Sequence, residues 1–218
     1  MSVRIQLVIS IIALLLAQSA GAAELSNSSA QFGFGVIWVT GGNGCSWASD
    51  ETLDPIFQVS NELVGECGYP WAINASSSGL ELAYDIPATQ YPPTLIRRYI
   101  QSSLGTSVAF ERRHRVSIAT SLIGQWRNLE CSVVARAQDG TESSFVVASE
   151  GEHMADWGLE PGEYQFFLTA DATQEPFESV GSLLSVHGLQ ASVRVTWEED
   201  SPLPVEYSRW GTIKALYR

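Results

Sequence analysis

Three aromatic residues lie close to two cysteines in a part of the chain that is rich in turn-forming residues. Trp47 directly follows GGNGCS, and Tyr69 and Trp71 follow VGECG. Flat aromatic rings held in place by a crosslink can stack on a sugar ring or anchor a protein partner. They can equally cap the end of a β-domain, because large aromatic side chains are usually buried. We predict that Trp47, Tyr69 and Trp71 form a ligand-binding surface on loops, with the capping role as the alternative interpretation.

The chain has three cysteines, and their surroundings differ. Cys45 and Cys67 lie in the two turn-rich stretches, whereas Cys131 lies in a strand-like run on the same face as Val133 and Ala135. We predict a Cys45–Cys67 disulfide, worth about 3 kcal/mol by the loop-closure argument. We predict that Cys131 is free and behaves as a small buried apolar residue. A nucleophilic thiol and an intermolecular disulfide at Cys131 are the alternatives, and the first would need a histidine partner that the sequence does not place.

No spacing of residues in this sequence predicts a catalytic centre or a metal site. HExxH, GxSxG and CxxC are absent, and His114, His153 and His187 are far apart. A zinc site would require such residues to converge in space. We therefore assign no catalytic residue and no metal ligand. His114 belongs to the basic run ERRHR, for which we predict a solvated turn, with contact to an anion or an acidic glycan as the alternative.

The chain is acidic, with 24 Asp+Glu against 12 Lys+Arg and a formal net charge of −12. This balance argues against nucleic acid and anionic membranes as partners, since both require a cationic protein surface. Ca²⁺ binding by an acidic cluster is an alternative to solvated acidic turns, and we otherwise predict no cofactor. A glycosidase needs two carboxyl groups in one cleft, and nothing in the sequence selects such a pair. The two clusters of carboxylates are Asp50, Glu51 and Asp54, and Glu198, Glu199 and Asp200.

The first residues have the three parts of a secretory signal peptide. Arg4 supplies a positive end, an apolar run covers residues 5–17, and small residues follow up to Ala23. The run is shorter than the roughly 20 apolar residues that cross a bilayer as a helix. We predict that residues 1–23 are a cleaved leader and that the mature chain has no transmembrane segment. The protein is then secreted or resides in the periplasm or cell envelope.

Apolar residues alternate with polar ones along most of the remaining chain, which is typical of strands with one buried face. The clearest examples are residues 32–39, 116–122, 164–171 and 189–198. Turn sequences such as Gln138-Asp139-Gly140 and Glu160-Pro161-Gly162 separate them. We predict an all-β fold for residues 24–200, an antiparallel β-sandwich or jelly roll of about nine strands. Residues 94–104 fit a short helix and an irregular strand equally well, and residues 201–218 are predicted to form a linker and a short amphipathic helix.

Several segments resemble uncharacterised secreted bacterial β-sandwich proteins. The phrase LEPGEYQFFLTADA, in which a Pro-Gly turn precedes a Tyr-led strand, is similar to a phrase in those proteins. VAFERRHRVSIATSLIG before it, GLQASVRVTW after it and the tail SRWGTIKALYR extend the resemblance over residues 106–218. Some of those proteins carry a C-terminal sorting signal, whereas this tail has neither a hydrophobic span nor a basic end cluster. The resemblance implies the fold class and implies no activity.

Three functions therefore follow as hypotheses. The first is an exported, non-catalytic β-sandwich with a binding or structural role in the envelope or extracellular space, where its partner would be a polysaccharide or an envelope protein. The second is a glycan-binding module that uses loop aromatics, with or without the help of Ca²⁺. The third is an extracellular hydrolase on a jelly-roll scaffold. A fold that hosts many functions does not decide among them.

Overall fold

The computed structural model describes residues 23–38, 41–49, 54, 56–60, 69–91, 95–124, 128–174, 178–180, 183–186 and 188–200. These residues form fifteen β-strands and no helix, so the predicted number of about nine strands was too low. The predicted leader up to residue 22, Cys67 and the predicted C-terminal helix lie outside the described residues. The strands are β1 (Glu24–Trp38), β2 (Gly41–Ala48), β3 (Phe57–Ser60), β4 (Trp71–Ser76), β5 (Gly79–Ile86), β6 (Thr89–Tyr91), β7 (Leu95–Phe110), β8 (His114–Ile123), β9 (Asn128–Ala137), β10 (Glu142–Val147), β11 (Gly151–Leu159), β12 (Gly162–Gln174), β13 (Glu178–Val180), β14 (Leu183–Val186) and β15 (Leu189–Glu199).

Two six-stranded antiparallel sheets make up the architecture. The strand order β10-β9-β12-β7-β1-β2 defines what we call the front sheet, and β11-β8-β15-β5-β4-β3 defines the back sheet. A small sheet of three strands has the order β13-β14-β6. The two large sheets enclose one apolar core, so the predicted all-β antiparallel sandwich is confirmed.

The core forms because side chains alternate between the two faces of each strand. In β8 and β15 every second residue is buried, as the sequence pattern predicts. Phe166 and Leu168 of β12 supply the facing surface from the front sheet and are fully buried. Each such side chain contributes about 1.5–3 kcal/mol when it is removed from water.

The helical alternative for residues 94–104 is wrong, because Leu95–Phe110 is one continuous strand. This strand, β7, lies in the middle of the front sheet and pairs with β1 on one side and β12 on the other. Two ladders of backbone hydrogen bonds outweigh the helical spacing of a few apolar residues. Polar residues on the inward face of β7, such as Arg98 and Ser102, obscure its period of two in the sequence.

A buried polar contact fastens one end of β7 to β12. Arg98 is fully buried and lies opposite Gln174 in the ladder. Its guanidinium donates to Gln174 Oε1, with an Nε–Oε1 distance of 3.0 Å, and to the carbonyl oxygen of Pro87 at 3.4 Å. A buried charge is tolerated only when hydrogen bonds satisfy it, so this contact fixes the register of the two strands at that end.

The two turns named from the sequence are present. Gly140 has a φ of +86° between β9 and β10, and Gly162 has a φ of +155° at the start of β12. Both values lie in the region that favours glycine. The hydroxyl of Tyr164 donates to the carbonyl oxygen of Glu160 at 2.9 Å and closes the second turn.

No helix that is long and apolar enough to cross a membrane occurs among the residues described above.

Candidate binding site

Of the three aromatic residues predicted to form a loop surface, Trp47 and Trp71 lie in strands, whereas Tyr69 lies in the connection just before β4. Trp71 begins β4, is 3% exposed and stacks on Phe32 with ring centroids 4.8 Å apart and planes 9° from parallel. Tyr69 is half-buried and meets Phe34 edge-on at 4.9 Å, and Trp47 belongs to β2. The loop assignment was wrong for Trp71, because the alternating pattern of WAINAS buries it, and for Trp47, because its strand β2 pairs with β1. The packing of Tyr69 and Trp71 favours the structural interpretation, and a role in binding stays a prediction.

The cysteines differ as the sequence indicates. Cys131 is free and buried, as predicted, and burial raises the pKa of its thiol to about 12, with further contributions from Asp171 and Glu130. A thiol with such a pKa is protonated at neutral pH and is a poor nucleophile. Cys45 lies in β2 and packs partly buried against the core. Its pairing with Cys67 stays a prediction, because Cys67 lies outside the described residues.

The basic run between β7 and β8 is only partly a solvated turn. His114 is 2% exposed, stacks on Phe110 with centroids 4.5 Å apart, and has its Nδ1 2.8 Å from the carbonyl oxygen of Arg112. The turn assignment was therefore wrong for His114, whose place as the first inward residue of β8 buries it. Arg112 and Arg113 are exposed and form ion pairs with Glu199 at 2.7 Å and Asp200 at 3.3 Å. These pairs already neutralise the charges that would contact an anion.

The other histidines and acidic residues do not assemble a metal site in the described part of the chain. No group of three or more His, Cys, Asp or Glu side chains converges there. The ring of His153 lies 3.2 Å from the carbonyl oxygen of Ser149, whereas His187 lies outside the described residues. Of the first acidic cluster only Asp54 is described, and it is exposed. Binding of Ca²⁺ stays a prediction.

A cleft of about 1000 Å³ opens on the outer face of the front sheet. Ile100, Cys131 and Ala172 of this sheet point into the core, so their chain neighbours point outward. These neighbours come from the central strands β7, β9 and β12. The side chains that line the cleft are Ile37, Arg97, Tyr99, Gln101, Asn128, Glu130, Asp171 and Thr173.

The strand register places these side chains directly beside one another. Glu130 lies opposite Asp171 across the β9–β12 ladder. Thr173 lies opposite Asn128 on one side and opposite Tyr99 on the other. Directly opposite residues on one face of an antiparallel pair have Cβ atoms about 4.5–5.5 Å apart. The cleft thus gathers an aromatic ring, a hydroxyl, an amide and two carboxylates from three strands.

Tyr99 is the aromatic ring of the cleft, and a glycine makes room for it. Tyr99 lies opposite Gly35 of β1, and a Cβ at Gly35 would overlap the phenol ring. The ring therefore lies directly over the neighbouring strand, 37% exposed. A second, smaller cleft of about 410 Å³ adjoins the other side of Tyr99 and is lined by Gly33, Ser46 and Gln101 among others. Ile37, Tyr99 and Gln101 are common to both clefts.

Asp171 occupies an interruption in the backbone ladder. The β7–β12 pairing runs to Thr169 and resumes at Ala172. Between them, the backbone N–H of Ser102 donates to Asp171 Oδ1 at 3.1 Å, and Ser102 Oγ donates to the carbonyl oxygen of Ala170 at 2.8 Å. Burial raises the pKa of Asp171 above its usual 3.8, the hydrogen bond from Ser102 opposes this, and Glu130 adds to it. A half-buried carboxyl with a raised pKa in a cleft is a typical feature of functional sites.

Most polar groups of the cleft have unused hydrogen-bonding capacity. Within the described residues, no side-chain hydrogen bond or ion pair involves Gln101, Asn128 or Glu130. The same holds for Arg97 and Thr173. Some polar side chains elsewhere on this face are paired, as in the ion pair between Arg136 and Glu142 at 3.0 Å. Convergent polar groups with free donors and acceptors beside an aromatic ring characterise ligand sites.

This cleft is not among the sites that we predict from the sequence. Its signal was the polar half of the alternating pattern in β9 and β12, where Asn128 and Glu130 flank Leu129, and Asp171 and Thr173 flank Ala172. That half was interpreted only as the solvent side of each strand. Which outward residues become neighbours depends on the register between distant strands.

Comparisons with known proteins give no family. No family model and no curated protein matches the chain. Among solved structures, TmCBM61 in complex with β-1,4-galactotriose matches 67% of this chain and 90% of its own, with 10% identity and a TM-score of 0.36. A family 16 carbohydrate-binding module matches 61% of this chain and 87% of its own, with 12% identity and a TM-score of 0.31. An arabinose-bound α-L-arabinofuranosidase matches 67% of this chain and 25% of its own, with 9% identity and a TM-score of 0.25. With identities and TM-scores this low, these likenesses assign no site, and function is argued from the residues of this chain.

Proposed function

We propose that this protein is an exported, non-catalytic β-sandwich that binds a neutral carbohydrate in the cleft of the front sheet. The observation that carries the proposal is the convergence of Tyr99 with Gln101, Asn128, Glu130 and Thr173 in one open cleft. Export follows from the leader predicted in residues 1–23. The site differs from the loop aromatics of the sequence analysis, although the class of ligand is the same.

The chemistry of a sugar matches this set of side chains. A sugar ring has an apolar face of C–H groups, which packs on an aromatic ring, and a rim of hydroxyls. The hydroxyls require both donors and acceptors, and the amides of Gln101 and Asn128 offer both. Glu130 adds an acceptor, and charged groups make the stronger hydrogen bonds. An apolar ligand would leave these groups unpaired, at a cost of about 1–3 kcal/mol for each buried group.

The carboxylates favour a neutral sugar over an acidic one. Glu130 and Asp171 lie opposite each other in the cleft, and the whole chain has a net charge of −12. Arg97 is the single cation among the described side chains that line the cleft. An acidic sugar would be repelled by both carboxylates, because like charges at this range disfavour each other.

Hydrolysis of a glycoside is a second candidate, and one observation favours it. A retaining glycosidase holds two carboxyl groups about 5–5.5 Å apart, one of them with a raised pKa. Glu130 and Asp171 are direct cross-strand neighbours, and the pKa of Asp171 is raised mainly by burial. We prefer binding, because Asp171 Oδ1 accepts a backbone hydrogen bond that completes the sheet.

The test measures how much of the protein, prepared without residues 1–23, binds to insoluble and to soluble neutral polysaccharides. Tyr99→Ala is compared with Ile123→Ala, which removes an exposed apolar side chain from the outer face of the back sheet. We expect retention on at least one polymer, a loss of affinity of about tenfold or more for Tyr99→Ala, and no loss for Ile123→Ala. Equal behaviour of the two variants would contradict the proposal.

Two further arms separate the alternatives. A chelator is added to one set of binding reactions, and a loss of retention there would show a requirement for a cation such as Ca²⁺. The polymer is also analysed for released sugars. Release that disappears in Glu130→Gln would favour the hydrolase over the binding module.

A further inference from the structure

A second exposed aromatic ring lies on the same face as Tyr99. Phe167 of β12 is 43% exposed and lies opposite Gly105 of β7. A Cβ at Gly105 would be 3.5 Å from Phe167 Cδ1, so this ring also lies over a glycine of the neighbouring strand. Both rings thus lie over a glycine of the next strand, but only at Gly35 would a Cβ overlap the ring. No other aromatic side chain whose exposure the structure describes is as open to solvent.

The register sets the distance between the two rings. Phe167 is level with Gly105, and Tyr99 lies six residues from Gly105 along β7. Six residues of an antiparallel strand span about 20 Å. The rings therefore stand at the two ends of a strip that runs along β7 and β12.

The side chains between the two rings are polar, and most of them are short. Ser103 and Thr169 are direct neighbours across the β7–β12 ladder. Ser132 of β9 follows beside Thr169, and their hydroxyls are 2.8 Å apart. Nearer to Tyr99, Gln101 and Asp171 continue the strip. Small hydroxyl-bearing side chains leave space above the sheet and offer hydrogen bonds along its length.

We propose that the cleft at Tyr99 is one end of an elongated site that extends to Phe167 and binds a linear stretch of a neutral polysaccharide chain. The inference rests on the proposed function, and adds the second anchor and the length of the ligand. A chain of sugar rings would stack on Tyr99 and Phe167 at the two ends. Its hydroxyls between them would meet Gln101, Ser103 and Thr169.

The pattern of the strip favours a sugar chain over a protein partner. Specific protein interfaces have an apolar core surrounded by a polar rim. This strip has the opposite order, with rings at the ends and hydroxyls, an amide and a carboxylate in the middle. An extended polysaccharide presents C–H faces and hydroxyls in alternation along its length, which suits that order.

The test uses soluble oligosaccharides of increasing length. They are prepared from a neutral polysaccharide to which the protein binds. Affinities are measured by calorimetry for the wild type, Phe167→Ala, Tyr99→Ala and Val146→Ala. Val146 is 58% exposed on edge strand β10 of the same sheet and serves as the matched control. Thermal unfolding of each variant verifies its fold.

For the wild type, we expect affinity to rise with length until the ligand spans both rings. Phe167→Ala should bind the shortest ligands like the wild type and bind the longest ones about tenfold more weakly. Tyr99→Ala should weaken binding at every length, and Val146→Ala at none. Wild-type affinity that does not depend on length, or Phe167→Ala that matches the wild type throughout, would overturn the elongated site alone. Absence of binding to every oligosaccharide and polymer would overturn the proposed function as well.

Discussion

The two outer faces of the sandwich have similar backbones but differ in the side chains that they expose to solvent. The front sheet carries Tyr99 and Phe167 above polar groups, several of which have no partner among the described residues. The back sheet has a groove of about 780 Å³ whose floor is a row of small side chains. That row crosses five strands through Ser60, Ala72, Ala83, Ser192 and Ser121.

Several charged groups on the back sheet are already paired. Arg194 pairs with Glu81, and Arg115 pairs with Asp156 at 3.0 Å. Exposed pairs of this kind contribute about 0–1 kcal/mol to stability, and they leave less hydrogen-bonding capacity for a ligand. A large groove alone is therefore a poor guide to a site. The back groove also has polar side chains without a hydrogen-bond partner, such as Asp85 and Gln190, but among the described residues only the front sheet has exposed rings beside such groups.

The largest effect is expected from an aromatic residue that lies inside the sandwich. Trp71→Ala removes a buried ring stacked on Phe32, and such truncations cost about 3–5 kcal/mol of stability. Urea unfolding measures this cost. Trp71→Phe, which keeps a ring on Phe32, should retain wild-type affinity for the carbohydrate. Reduced affinity in a folded Trp71→Phe variant would favour a binding site formed by Trp47, Tyr69 and Trp71, as predicted from the sequence.

A smaller effect is expected when a glutamine on the front sheet is replaced, and a glutamine on the back sheet serves as its control. Gln101 lines the front cleft, and Gln190 lines the back groove. Gln101→Ala should weaken binding by about 0.5–1.5 kcal/mol, the net value of a hydrogen bond. Gln190→Ala should leave affinity unchanged. Calorimetric titration with one oligosaccharide compares them, and a larger loss for Gln190→Ala would invert the assignment of the faces.

The smallest effect is a pH dependence of stability at Asp171. Burial raises its pKa above the usual 3.8, so the folded state binds this proton more tightly than the unfolded state does. The stability that protonated Asp171 contributes is therefore present below the usual pKa and is lost as pH rises through the raised one. Asp171→Asn cannot titrate and keeps a carbonyl oxygen for the Ser102 N–H.

Unfolding free energies of the two proteins are compared from about pH 3 to about pH 7. The difference between Asp171→Asn and the wild type should shift in favour of the variant as pH rises. A shift in the opposite direction would mean that the native state favours the ionised carboxylate, as a bound cation or a close guanidinium would cause.

The fold could be predicted from the sequence where one strand face is fully apolar. The alternation in β8, β12 and β15 and the inward position of Cys131 follow directly from the sequence pattern. Strand β7 was ambiguous, because Arg98 and Ser102 face inward while Tyr99 faces outward. Edge strand β11 was missed, because few of its residues are buried and its apolar signal is weak.

The candidate site could not be predicted in the same way. Tyr99, Glu130 and Asp171 come from three strands that are separated in the sequence and become neighbours only through their register. Sequence patterns report which face a residue occupies, and they do not report which distant strand lies beside it. The same is true of the glycines beneath the two rings. The roles of Gly35 and Gly105 depend on the residues opposite them, which the sequence does not identify.

The most direct test of the central claim is to map the bound carbohydrate by backbone amide chemical shifts during a titration. We expect the largest shifts at four residues of the front sheet, Tyr99, Gln101, Asp171 and Thr173. The amides of Ala83, Ser121 and Ser192 in the back groove should remain unchanged. Shifts concentrated on the back groove, or spread evenly over both faces, would contradict the assignment of the binding site.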